Sequence, residues 1–572
     1  MPPERFHGPI VAAIAAVVLL VNIGGVALHD EDEPRNAACS RAMAARGDWV
    51  VPSFNGQMRL DKPALVNWLH LAGYAVAGPN ETGARLGGAI LSVGTCLLTW
   101  AIGRRLHGAA VGFLAGCAMA SAAWTGIAGR AATPDAPLTF FTTLALALFV
   151  GGIGGAGRPT ISRRRAMAIG AACGGALLTK GPIGLLFPLA ALVGCGLLLG
   201  AGTSGRPGVR DRLAGVVAVR PGWIVAAALV VAAPWYVWVS LRTDGAWLKG
   251  FLLIHNLRRF TQPMEGHSGS WLYYPAVVAV TFFPWSIVLA TTLSRACVLC
   301  WRPADHRHAA TVISTVWVAT WVLALSAAAT KLPGYVWPAF PALAVLTAAF
   351  LHDWFQDDLP GFGRRAEGAL LPDRTMAVAW TILLVAGLGI AVAPWLAGDR
   401  LPDTARWLAV PALACTAGAV AAWWWQRRGR RDRSLATLAL TAAAFTGIIA
   451  AAGPTAVQSG AAGPRHLATL LAPPATDDAW VSVGTVPASV VFYTGATIRE
   501  VESIAAAADH LRRHPAGMVF AARDNARDLA PLLGPDHVVV HRVPLPFADE
   551  LVVVARRASA ETIAACEPPS QP

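Results

Sequence analysis

The sequence predicts an all-α polytopic membrane domain of about thirteen transmembrane helices over residues 1–452, followed by a small C-terminal α/β extracytoplasmic domain over residues 453–572. Three observations carry this. Of 572 residues, 55% are hydrophobic and only 14% charged, with mean hydropathy +0.51, which excludes an ordinary soluble chain. Apolar runs of bilayer-spanning length recur up to Ala452. Arginine clusters fall between alternate runs, as the positive-inside rule requires.

The first run, Gly8 to Leu28, has no small-residue cleavage site before the acidic segment that follows, so it reads as an uncleaved span with Met1 to His7 cytoplasmic. Further runs lie at about Ala84–Ile102, Ala109–Ala128, Ala136–Gly154, Ala166–Leu178, Ile183–Leu199, Trp223–Leu241, Trp271–Leu293, Thr311–Ala329, Tyr335–Leu351, Met376–Leu396, Trp407–Trp425 and Leu435–Ala452. Alternation then puts Arg104/Arg105, Arg163–Arg165, Arg206–Arg220, Arg295–Arg302, Arg364–Arg374 and Arg427–Arg433 on the cytoplasmic side of an inner membrane. It puts Asp30–Pro63, Arg130–Asp135, Thr179–Pro182, Arg242–Ser270, Thr330–Gly334 and the C-terminus outside.

After about Gly453 short strands (Trp480–Gly484, Met518–Ala521, Val538–His541, Leu551–Val554) alternate with helical stretches (Ile504–Arg513, Ala526–Leu533), the pattern of a small α/β module. It has no Gly-rich phosphate loop and no obvious nucleophile, and reads as a structural or docking domain.

The formal charge of +13 is accounted for by cytoplasmic arginines, so no nucleic-acid partner is expected. Nine scattered cysteines imply no disulfide framework, and Cys297/Cys300 have no second pair to complete a zinc site. Only Lys62, Lys180, Lys249 and Lys331 are lysine among 46 basic residues, which singles each of them out.

Ionisable groups at membrane boundaries mark a functional site, and here they gather in the loops assigned outside. His29-Asp30-Glu31-Asp32-Glu33-Pro34-Arg35 is either a solvated acidic cap or the source of a general base paired with Arg35. Asp61-Lys62-Pro63 is either a snorkelling lysine or a pre-set ion pair. Asp135, between Pro134 and Pro137, is either a helix cap or a site residue. Lys180 and Lys331 follow spans directly, and the segment His255 to Ser270 adds Arg258, Arg259, Glu265 and His267. Cations in this number suit an anionic lipid headgroup such as a phosphate, and His255 or His267 with Asp61 suits a divalent metal ion.

In their order along the chain, Asp32-Glu33-Pro34-Arg35, Gly47-Asp48-Trp49-Val50-Val51-Pro52 with Asn55-Gly56, Asp61-Lys62-Pro63, Ala84-Arg85-Leu86, Ala131 to Phe141, Leu178 to Pro182, Trp271 to Trp285 and Lys331 to Pro341 carry a family pattern. Through them the chain resembles the GT-C class of integral-membrane glycosyltransferases, in particular the aminoarabinose lipid A transferase and protein O-mannosyltransferase-like group. The resemblance implies a sugar donor linked to polyprenyl phosphate, no nucleotide, and a lipid, glycan or protein acceptor in contact with membrane lipids. It also implies inversion at the anomeric carbon. It makes Asp32 and Asp135 catalytic, places Arg35, Lys62, Lys180, Arg258, Lys331 and Tyr335 on the donor phosphate, and makes Asp61 and His255 a metal-binding pair. The chain departs from the pattern at Asn36, where an aromatic is usual, at Asp61, where Glu is usual, and at Ala64, where a second Pro is usual. Two other classes fit a chain of many spans: a transporter or flippase of a lipid-linked sugar, and a non-catalytic subunit of a glycan-assembly complex.

Overall fold

The computed structural model describes the chain except residues 1, 29–31, 156, 202–206, 264–267, 357, 359–370, 399–402, 462, 472–478, 534, 544–550 and 557–572. It divides into two compact units. The first comprises Met1–Ile23, Leu60–Val66 and Leu86–Gly453; the second comprises Gly24–Arg59, Asn67–Arg85 and Pro454–Pro572. The second unit thus joins the segments that follow the first helix to the C-terminal domain, a grouping that composition along the chain does not reveal.

The first unit is helical, and every expected apolar run carries a helix. Among the described residues, seven helices are long and apolar enough to cross a membrane, with shorter apolar helices such as Ala109–Ser121, Asp135–Val150 and Ile183–Leu199 beside them. Several expected spans are interrupted. The first helix ends at Leu20 rather than Leu28, and Arg130 closes it by donating to the carbonyls of Val18 (2.8 Å) and Asn22 (2.9 Å). The expected span Ala109–Ala128 breaks at Ala122, where Ala123 N–H donates to Phe283 O and the Ser121 carbonyl accepts from Thr446 Oγ1. Backbone freed inside a membrane has to find such partners within the protein.

Small residues set the helix spacing, as they do where lipid supplies no hydrophobic drive for association. Helix Arg163–Lys180 lies against Pro221–Arg242 so closely that a methyl group added at Gly170 would stand 2.3 Å from the Ile224 carbonyl. The same helix stops at Gly181, which takes φ +77° and is followed by Pro182. Close packing fixes the helix, and this stop leaves Lys180 in its last turn.

The second unit holds helix Asp32–Arg46 and a five-stranded sheet in the order 499–501, 480–483, 518–522, 551–556, 537–543. The first three strands are parallel and the last two join antiparallel. Helices Ile504–Arg513 and Arg523–Leu533 cover the sheet through Ala507, Leu511 and Leu529 against Val481, Val519 and Val552. All four expected strands and both expected helices form; strand Arg499–Val501 and helix Ala488–Thr494 are additions. The first of these additions is three residues long and the second seven, too short to show a period.

Candidate active site

Helix Asp135–Val150 begins at Asp135, preceded by Pro134, whose fixed φ suits entry into a helix. No side chain caps this helix, and the Asp135 carboxylate instead accepts a hydrogen bond from Lys180 Nζ. A carboxylate in a first helical turn meeting an ammonium in a last turn is the pairing that both helix dipoles favour. Lys180 Nζ also lies 4.1 Å from the centre of the Tyr335 ring, within cation–π range. Tyr335 sits in the tight 3₁₀ stretch Pro333–Ala339, and its hydroxyl accepts from Arg259 Nη1 at 3.2 Å.

Asp61 and Lys62 occupy the turn ahead of Pro63, before helix Leu65–Ala77 starts, and pair at 3.8 Å. His255 and Arg259 come from a π-helical stretch, Gly250–Arg258, and the turn after it, so the two share a face at i, i+4 spacing. Such wide turns often mark functional sites.

These residues meet around one cavity of about 500 Å³ within the first unit. Asp61, Lys62, Lys180, His255, Arg259 and Tyr335 form its polar side; Ile183, Leu186, Phe187, Phe251, Leu252 and Leu325 form an apolar wall. A cationic cluster joined to a hydrocarbon-like wall matches an amphiphile with an anionic head.

Five of the ten residues given a role from the sequence therefore line this cavity: Asp61, Lys62, Lys180, His255 and Tyr335; Asp135 joins them through Lys180. Four do not. Arg258 is exposed and donates from Nε to Gln262 Oε1 at 3.1 Å, because it lies one residue off the face that His255 and Arg259 share. Lys331 is buried away from the lining, its ammonium donating to the carbonyls of Ser326 and Ala328, both at 2.8 Å, at the end of helix His308–Ala327. Those carbonyls have no partner within the helix, and Lys331 supplies it. Asp32, half-buried in the first turn of its helix, and Arg35, 5.6 Å from the Phe54 ring, belong to the second unit. Asp30, Glu31, Glu265 and His267 lie outside the described residues.

Arg259 is the lining residue that sequence reasoning passed over in favour of its neighbour; its four-residue spacing from His255 was the available signal. A second omission is Glu33, which is buried and held by Arg85 in a two-point ion pair, Nε to Oε1 at 2.9 Å and Nη2 to Oε2 at 2.8 Å. Among the described residues no group of three or more His, Cys, Asp or Glu is arranged to hold a metal ion. Asp61 and His255 share the cavity, and a carboxylate with an imidazole fits a divalent ion provided that ligand or water oxygens complete its shell.

The family described as dolichyl-phosphate-mannose-protein mannosyltransferase matches residues 61–238. The undecaprenyl phosphate-alpha-4-amino-4-deoxy-L-arabinose arabinosyl transferase of Pseudomonas aeruginosa is 32% identical over 333 residues, 57% of this chain and 56% of that protein. That of Serratia proteamaculans is 26% identical over 354 residues, 60% of this chain and 59% of that one, so the match spans little over half of each relative. Among solved structures, ArnT from Cupriavidus metallidurans bound to undecaprenyl phosphate superposes with TM-score 0.75 at 24% identity, over 96% of this chain and 97% of that one. The Archaeoglobus fulgidus oligosaccharyltransferase gives TM-score 0.52 at 10% identity, over 93% of this chain and 72% of that one. In its fold, and in sequence over the matched stretches, this multi-pass membrane protein is similar to the GT-C class of membrane glycosyltransferases, and within it to the aminoarabinose transferases.

Proposed function

We infer that the chain is a membrane glycosyltransferase that moves a sugar from a polyprenyl-phosphate donor to a lipid, glycan or protein acceptor on the outer face of the cytoplasmic membrane. The observation that carries this reading is the single cavity in which Lys62, Lys180 and Arg259 stand beside an apolar wall. The phosphate fits the cations and the first isoprene units fit the wall.

In the reaction an acceptor oxygen attacks the anomeric carbon as the bond from that carbon to the phosphate oxygen breaks. Polyprenyl phosphate leaves with the electron pair, and attack from the opposite face inverts the centre. Lys62, Lys180 and Arg259 stabilise the charge that grows on the departing phosphate; one preorganised donor of this kind contributes on the order of 3 kcal/mol. Asp135 holds Lys180 in place through their ion pair. Asp32 takes the proton of an acceptor hydroxyl, or orients the acceptor when that is itself a phosphate. Asp61 and His255 would hold a divalent ion, which when bound supplies further positive charge next to the phosphate.

The relatives' substrate makes 4-amino-4-deoxy-arabinose the first donor sugar to test. The experiment is mass spectrometry of the purified protein in detergent with a panel of polyprenyl-phosphate sugars, reading release of free polyprenyl phosphate, with Asp32→Asn beside it. Release that Asp32→Asn abolishes supports the reading. No release with any donor, even with envelope lipids added as acceptor, overturns it in favour of a transporter or an accessory subunit.

A further inference from the structure

The second unit brings the beginning and the end of the chain together around Asp32. Arg85, besides its ion pair with Glu33, donates to the carbonyls of Val26 (2.7 Å) and Ala27 (3.2 Å), so one guanidinium ties the backbone six and five residues before Asp32 to the side chain one residue after it. Tyr493, on helix Ala488–Thr494 of the C-terminal domain, accepts from Leu28 N–H at 2.7 Å and donates to Glu81 at 3.0 Å. Glu81 is in turn 3.4 Å from Arg465. Arg41, on the helix that Asp32 begins, donates to the Phe492 carbonyl at 2.7 Å and lies against Gly495, where a Cβ would come within 2.5 Å of its guanidinium. Asn55 exchanges two hydrogen bonds with the backbone of Ile498, at 2.7 and 2.8 Å, as a strand residue would.

We propose that the C-terminal α/β domain clamps residues 26–28 and 32–55 and thereby sets the position of Asp32, with Tyr493, Arg85 and Glu33 as positioning residues; this rests on the reading of Asp32 given above. Productive attack tolerates errors well under 1 Å in a catalytic group, and a loop held only at its two ends cannot meet that. Here the contacts fall on both sides of Asp32 and at intervals along the segment. Glu33, Glu81 and Arg85 are buried, each 6% exposed or less, so their bonds compete little with water. Among the described residues the domain holds no group of His, Cys, Asp or Glu arranged for a metal, and a positioning role accounts for its presence.

The test uses the full chain in detergent with a polyprenyl-phosphate sugar and acceptor. Tyr493→Phe keeps the ring and removes both hydrogen bonds; Asn55→Ala and Arg41→Ala release the same segment elsewhere and serve if Tyr493→Phe does not fold. The expected result is a kcat about 10- to 100-fold lower with KM for the donor unchanged. Amide exchange should quicken over residues 26–46 and stay unchanged over 163–180. Glu33→Gln should lose activity in the same way, and Arg85→Lys should restore only part of what Arg85→Ala loses. Unchanged exchange over 26–46, or faster exchange with unchanged kcat, overturns the proposal. If Asp32→Asn itself stays active, the assignment of Asp32 falls, while the exchange measurement still decides whether the domain holds the segment.

Discussion

Lys180, the last residue of one helix, donates to Asp135, the first residue of another, and the pair is partly shielded from solvent, with side-chain exposures of 11% and 19%. Pro134 holds the N-cap position of that helix, and the Asp135 carboxylate is engaged by the ammonium of Lys180. This bond separates two roles that a sequence cannot: Lys180 faces the cavity, and Asp135 stands behind it.

From this arrangement, Lys180→Met should lower kcat by about 10²- to 10³-fold, the usual loss of one donor to a developing negative charge. Asp135→Asn should cost less and should raise KM for the donor, because the lysine survives but loses its anchor. Steady-state kinetics with purified variants distinguishes the two.

The neighbouring arginines should differ. Arg259→Gln removes a cavity cation and the partner of Tyr335, and should reduce donor release by at least about tenfold. Arg258→Gln should leave release unchanged, since its guanidinium donates to Gln262 in an exposed position off the cavity lining. Equal losses would mean that the turn is wound differently when donor is bound.

If Asp61 and His255 hold a divalent ion, a chelator should lower the activity of the wild-type chain and have no further effect on Asp61→Asn. Added zinc or manganese should restore the first and not the second. Full activity after chelation would assign His255 to direct phosphate contact and Asp61 to holding Lys62.

His70 is buried with Ser40 Oγ 3.0 Å from its Nδ1, and burial lowers its pKa from 6.5 to about 4. The folded chain therefore holds it neutral, while the unfolded chain takes up a proton below pH 6.5. Stability is fully present above that value and declines as pH falls toward 4. Between pH 6.5 and 5 the wild type should lose about 2 kcal/mol more than His70→Asn, read from thermal unfolding in detergent.

Close packing gives a further test. Gly170→Val would drive a side chain into the Ile224 carbonyl and should destabilise the first unit by about 1–3 kcal/mol or more, whereas Gly222→Ala, with open space around its Cβ position, should not. Melting temperatures of the two variants make the comparison.

How much was legible in the sequence follows from which signals are local. Each expected apolar run carries a helix, because a bilayer imposes length and polarity on consecutive residues, whereas helices Asp32–Arg46, Leu65–Ala77 and Val209–Val219 fall outside those runs. Local alternation and composition likewise gave four of the five strands of the C-terminal sheet. Breaks such as those at Leu20 and Ala122 were not legible, since they depend on whether a distant group, Arg130 or Phe283, arrives to satisfy the freed backbone.

The residue types of the site were determined by the sequence alone: few lysines, acidic loops, and a tyrosine and a histidine at span ends. Only the tertiary structure decided which of them meet. It brought Lys62, Lys180 and Tyr335 to one cavity, exchanged Arg258 for Arg259, and turned Lys331 to the carbonyls of its own helix end. It also joined Leu28 to Tyr493 across 465 residues of chain. Residue chemistry is written position by position, whereas the facing of a side chain depends on helix phase and on partners far along the chain, and these exist only once the chain has folded.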